Sequence, residues 1–187
     1  MSDEIIDKSK FNLKEFFSKN KKSLIVIVIT IVLLVITLII ANEYKKQKYI
    51  EISVKYNSAK ILIEKNKTTE ALQILDEIIF KNNKFYSPSA LNLIIDNKLI
   101  QDKKKILSYF DEIISNSKLD IETKNLFIFK KTVFIGDEIK ENELLSNLKP
   151  ILKSDSLWKD TILDYIKKYY LSKGEFLKAK EFENIIN

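Results

Sequence analysis

Two acidic pairs, Asp76-Glu77 and Asp111-Glu112, come nearest to a reactive arrangement in this sequence. They fall at equivalent places in two helical segments and could be read as a carboxylate cluster, but a solvated helix face is the preferred reading. Metal sites draw on clustered His, Cys and carboxylates. Here His and Cys are both absent. That also removes the commonest general base, any thiol nucleophile and any disulfide. No glycine-rich phosphate loop exists, because the only glycines are Gly136 and Gly174. All 32 basic residues are lysines. Lysine is a mobile point charge without the planar fork that arginine offers to phosphates and carboxylates. The composition therefore points away from an enzyme, and no catalytic residue, metal or cofactor is expected.

Charge excludes a second class. The net charge is +6. Residues 1–42 hold six lysines against Asp3, Glu4, Asp7 and Glu15, a balance of +2, which leaves +4 for the rest. Beyond Lys103–Lys105 no dense basic tract occurs, so a nucleic-acid partner is not expected. Trp158 is open to two readings: an anchor for a protein partner, or packing between the last two helix pairs. Tyr165, Tyr169 and Tyr170 recur at helical spacing and read as core with a wet edge.

The elements that position these residues begin with an apolar run. From Ser23 to Asn42 no residue is charged. About 20 helical residues span roughly 30 Å, the hydrocarbon thickness of a bilayer. Leu24, Ile29, Leu33, Leu34, Ile36 and Ile40 would form the anchor. Lys19, Lys21 and Lys22 flank one end and Lys45, Lys46 and Lys48 the other, where they can snorkel. Tyr44 and Tyr49 stand where an aromatic belt would. A cleaved signal peptide is the rival reading, but its apolar region is shorter and ends in a small-x-small site. The expected organisation is a cytoplasmic head at 1–22, a signal-anchor helix at 23–42 and a helical domain at 43–187. The six lysines before the span weakly favour a cytoplasmic N-terminus.

After the span the apolar positions keep a helical period, as in Tyr56, Ala59 and Ile63, or Ala71, Ile74, Leu75 and Ile78. Two glycines and two prolines are too few for the turns of an antiparallel β protein. With few breakers between Ile40 and Ile63, one long helix should run through that stretch. Thr68, Ser87 (followed by Pro88 at the first helical position) and Asp120 read as helix starts. Asn82-Asn83, Gly136 and Gly174 read as stops, and Pro150 as a break in the segment that starts near Glu141. Aligning the segments 69–79, 104–114, 141–152 and 178–186 places Ala71, Ile106, Glu143 and Ala179 in register. The separations are 35, 37 and 36 residues. Such a period, with two helices per unit, predicts an all-α, tetratricopeptide-like array, an α-solenoid of antiparallel helix pairs. An irregular bundle of similar helices is the alternative. Expected packing residues are Ala59, Ala71, Ile106, Trp158, Gly174, Phe176 and Ala179. Asn66 stands before Ala71 as Gly174 stands before Ala179, and both residue types tolerate a left-handed turn.

Several motifs carry a resemblance over nearly the whole chain. They are the lysine-rich head, the span at 24–41, Tyr-Lys-Lys-Gln at 44–47, Ala59 and Ala71, and Leu148-Lys149-Pro150-Ile151-Leu152. Ser156-Leu157-Trp158-Lys159 and Gly174-Glu175-Phe176-Leu177-Lys178-Ala179 complete the set. In this order they resemble the YfgM-type proteins, ancillary subunits of the SecYEG translocon. Lys105 or Ile106 stands where that family commonly has a small residue. The resemblance implies a bacterial inner-membrane protein, single-pass, with its helical domain in the periplasm. Its expected partners are the translocon, together with exported polypeptides or periplasmic chaperones. A scaffold for another envelope assembly would carry the same features, because fold does not dictate function.

Overall fold

The computed structural model describes residues 21–186, which are helical with no strand among them. In chain order the helices are α1 (Lys21–Glu64), α2 (Thr68–Phe80), α3 (Tyr86–Asp96), α4 (Lys103–Ser115) and α5 (Ile121–Ile135). A 3-10 turn at Gly136–Glu138 follows, then α6 (Glu141–Leu152), α7 (Lys159–Ser172) and α8 (Phe176–Ile186). The expected head lies outside the described residues, except that Lys21 and Lys22 open α1. That helix continues unbroken through the stretch between Ile40 and Ile63 where breakers are scarce.

The chain divides into two compact units, parting inside α1 between Glu51 and Ile52. In the first unit α1 is long and apolar enough to cross a bilayer. Leu24 is partly covered, whereas Ile29, Leu33, Leu34, Ile36 and Ile40 are all exposed. The two polar interruptions are satisfied within the helix. Thr30 Oγ1 donates to Val26 O and Thr37 Oγ1 to Leu33 O, each at 2.8 Å.

The second unit holds two apolar cores. The first gathers Ala59, Leu75, Ile78, Leu91, Ile94, Tyr109, Phe110, Ile113 and Phe127. The second gathers Leu144, Leu148, Ile162, Ile166, Tyr170 and Ala179. Fully burying one large aliphatic side chain stabilises by about 1.5–3 kcal/mol. Between the cores runs α5, whose sequence explains its place. Leu126, Phe127, Ile128 and Phe129 are apolar in succession, so they cover more than one face of a helix. Phe127 packs in the first core, while Ile128 and Phe129 pack on the second.

Three of the turns between helices close alike. Asn66 (φ 58°), Lys98 (φ 51°) and Gly174 (φ 75°) are left-handed. After each, the next amide reaches back five residues: Lys67 N to Leu62 O at 2.8 Å, Leu99 N to Ile94 O at 3.0 Å, and Glu175 N to Tyr170 O at 2.9 Å. This is the Schellman closure, which satisfies carbonyls that a helix end leaves free. Gly136 (φ 67°) occupies the corresponding place after α5 but leads into the 3-10 turn.

Helix starts follow the sequence less closely. Asp120 caps α5 by accepting the Thr123 N–H at 2.8 Å, as its position suggests. Ser87 is not a cap. Asn83 Oδ1 accepts the Phe85 and Tyr86 amides at 2.9 Å, so α3 starts two residues ahead of Pro88. The buried Ser87 hydroxyl instead donates to Ile78 O at 2.7 Å, tying α3 to α2. Thr68 is the first residue of α2 rather than its cap, and Lys67 before it makes no side-chain capping bond. Pro150 does not end α6, which continues to Leu152. So near the C-terminal end, the missing N–H costs one hydrogen bond and leaves few turns to disrupt.

Candidate interaction surface

The acidic pairs do not assemble. Asp76 accepts the Tyr109 hydroxyl and lies 3.9 Å from Lys105. Glu77 pairs with Lys55 at 2.7 Å and Lys81 at 3.5 Å. Asp111 pairs with Lys131, and Glu112 accepts Asn82 Nδ2 at 3.0 Å. Asp76, Glu77 and Asp111 each join one helix to another, Glu112 holds the turn after α2, and no cluster suited to a metal ion occurs among the described residues. The Lys55 ammonium holds the Glu77 carboxyl below the ordinary carboxylate value. Burial, reinforced by Asp76, pushes the Tyr109 phenol well above its usual value. The tract Lys103–Lys105 is divided too: Lys103 reaches Ile135 O at 3.1 Å and Glu138 at 2.7 Å, while Lys105 lies toward Asp76.

Among the expected packing residues, Ala59 and Ala71 are completely buried and Ile106 and Ala179 nearly so. Gly174 holds its left-handed turn. Phe176 is different: it is 69 % exposed at the first position of α8. Among the described side chains of that helix, Ala179 and Phe182, one and nearly two turns further on, reach the second core, and Phe176 does not.

Trp158 packs on the second core, and its indole N–H donates to Glu122 O at 3.1 Å. Around it a polar knot fastens the α6–α7 loop to the start of α5. Ser156 Oγ donates to Glu122 Oε2 at 2.9 Å and accepts Asn125 Nδ2 at 3.2 Å, and the Leu157 amide also donates to Glu122 at 3.0 Å. Asn125 and Ser156 are buried, so these bonds satisfy groups that would otherwise be costly to desolvate. Nothing in the linear sequence marks this knot, because its members lie more than 30 residues apart.

The tyrosines of α7 divide as their spacing suggests. Tyr170 is buried and stacks on Phe182 at 5.6 Å. Tyr165 packs edge-on to Phe129 at 5.5 Å, and Tyr169 donates to Ile139 O at 3.2 Å. The Tyr170 hydroxyl donates to Glu141 at 3.0 Å, and Lys178 pairs with the same carboxylate at 2.8 Å. Burial first, then Glu141, pushes the Tyr170 phenol up to about 12. Lys178 and then Tyr170 hold the Glu141 carboxyl below its ordinary value.

An open groove of about 370 Å³ is lined by residues of α3, α4 and α5. Its walls are Ile95 of α3 and Phe129 and Val133 of α5, and Phe110 of α4 contributes to its lining. Phe110 is buried against two other rings, Phe127 at 6.2 Å and Phe134 at 5.7 Å. Three polar residues also line it: Asn92 and Asp96 from α3, and Lys130 from α5. The Lys130 ammonium donates to Asn92 Oδ1 at 2.9 Å and stands 5.3 Å from the Phe127 ring centre. An apolar concavity with a few placed polar groups is suited to binding rather than to bond-breaking. No sequence signal predicts it, since its residues come from three helices.

What fold and surface define, among the described residues, is a helical protein with one N-terminal helix long and apolar enough to span a membrane. The chain matches no protein-family model, no characterised protein and no solved structure.

Proposed function

We propose that this chain is a membrane-anchored protein–protein interaction module of the bacterial inner membrane. In this reading α1 is a signal anchor with a cytoplasmic N-terminus, and the helices after it form a tetratricopeptide-like array in the periplasm. The module sits beside the SecYEG translocon and engages emerging polypeptides or periplasmic chaperones. It uses no cofactor and catalyses no reaction.

The observation that carries the reading is the exposed apolar surface of α1, continuous from Ile25 to Ile40 apart from its two self-satisfied threonines. Soluble monomers rarely expose so long an apolar stretch, and lipid is the solvent that suits it. The five-residue closures after Asn66, Lys98 and Gly174 support a repeated two-helix unit; Asn82, between α2 and α3, is left-handed as well but makes no such closure. A single span confines the domain to a surface and raises its effective concentration near a membrane partner without added contacts. The translocon assignment rests on the resemblance to YfgM-type proteins.

Solubilisation of native membranes in mild detergent, followed by affinity capture of the full chain, tests this. Recovery of translocon subunits is the expected result. Recovery of a different envelope assembly would replace the translocon with a scaffold role, and recovery of nothing from intact membranes would overturn the module itself.

A further inference from the structure

We propose that α1 pairs with α1 of a second copy of this chain, in parallel and in register, through a stripe formed by Ile50, Val54, Asn57 and Ile61. The inference rests on the reading of α1 as a membrane anchor and adds a partner to it.

The stripe follows from helical geometry. At about 100° per residue these four positions fall within about 60° of one another. Ile52, Tyr56, Ala59 and Ile63, which pack in or on the first core, fall on the opposite side of the helix. Ile50 is 45 %, Val54 58 % and Ile61 49 % exposed, so the stripe is bare while the other face is occupied. Other large apolar side chains exposed after α1, such as Phe85, Leu157 and Leu177, stand at loops and helix ends and line no helix face. Lipid does not cover the stripe. Glu43, Lys45, Lys46 and Lys48 follow the apolar run. From Ile50 to Ile61 the stripe lies about 12–28 Å past Asn42 along the helix, beyond a headgroup layer about 5–8 Å deep.

Spacing and anchoring choose a second copy. The steps between these positions are four, three and four residues. That alternation keeps successive side chains of two supercoiled helices on a common seam. Val54 and Ile61 take the positions where two-stranded parallel coiled coils hold β-branched residues. Two copies anchored in one membrane from the same side are parallel and at one depth, so each residue meets its own counterpart. That suits Asn57, the one polar member. An amide carries both donor and acceptor, so its counterpart can return both bonds, and an asparagine inside such a seam fixes the register. Charge takes no part in the choice: Lys46 would face Glu51 of the other copy while Lys60 would face Lys65, one attraction against one repulsion. So short a seam needs help, which shared confinement in a membrane supplies by raising the effective concentration of copies.

Cysteine cross-linking in native membranes tests this, because the chain has no cysteine of its own. The single variants Ile50→Cys, Val54→Cys and Ile61→Cys, treated with copper phenanthroline, should give a band of twice the chain's mass. Lys48→Cys and Lys55→Cys, on another face of the same helix, should give several-fold less. Adding Val54→Glu to Ile61→Cys should remove most of the dimer band. Circular dichroism of that variant should stay helical, since residue 54 lies outside the core. Equal bands at all five positions, no dimer band along the stripe, or a band that survives Val54→Glu would each overturn the proposal. So would a band at another mass in its place, since the occupant would then be a different protein. If the chain resists alkaline extraction yet yields no dimer, only the pairing falls. If alkaline extraction releases it, the anchor reading falls and the pairing with it.

Discussion

Truncating Leu148 to alanine should loosen one half of the helical domain and spare the other. Leu148 is completely buried in the second core, among Leu144, Ile151, Ile162 and Ile166. The change removes three carbons, worth about 2.4 kcal/mol at roughly 0.8 kcal/mol each. Residual cavity raises the expected loss to about 2.5–4 kcal/mol. Because the two cores gather largely different helices, that loss should stay near its origin. Native-state hydrogen exchange by mass spectrometry reads this out along the chain. Protection should fall across α6 and α7, while α2, α3 and α4 keep theirs. Trp158 is the only tryptophan and packs on the second core, so its fluorescence should unfold earlier than the far-ultraviolet signal of the whole domain. The matching change in the first core, Leu91→Ala, should reverse the pattern. Equal loss of protection from α2 through α7 in both variants would refute two separable cores and indicate one cooperative unit.

Gly174→Ala should lower stability by about 1 kcal/mol, visible as a lower melting temperature, through backbone strain alone. The residue sits at φ 75° and an added Cβ would meet nothing within 4 Å. An unchanged melting temperature would contradict this. Asn125→Ala should cost about 1–3 kcal/mol in chemical denaturation, because the polar knot around Ser156 and Glu122 loses its buried partner; a change within error would show the knot to be ornamental. Acid sensitivity should depend on Glu141. Its folded-state pKa is lowered, so its contribution is complete above the ordinary value of 4.5 and is lost as pH falls through the lower folded value. Glu141→Gln should therefore shrink the drop in melting temperature between pH 6 and pH 3.5, modestly and less so in high salt because the group is exposed. An identical drop in variant and wild type would count against the Lys178 and Tyr170 contacts.

Helix content and periodicity are legible in this sequence because apolar stripes and left-handed residues are local signals. Asn66 and Gly174 advertise their turns, and Asp120 advertises its cap. Lys98 does not, since a lysine at positive φ is dictated by the helices on either side rather than by its own preference. Ser87 looked like a cap because it precedes proline, yet Asn83 reaches the free amides first and leaves the hydroxyl to bond α2. Phe176 looked inward because it is aromatic, but its place at the start of α8 leaves it in solvent. The groove was invisible for a different reason. Phe110, Lys130 and Asn92 become neighbours only when α3, α4 and α5 pack together, and nothing in any single segment records that meeting.

Protease accessibility of a C-terminal tag in spheroplasts tests the account most directly. Digestion from outside, with α1 retained in the membrane fraction after alkaline extraction, is the result the account predicts: an anchored chain with its helical domain in the periplasm. Protection of the tag until lysis would put the domain in the cytoplasm and contradict the proposed engagement of exported polypeptides.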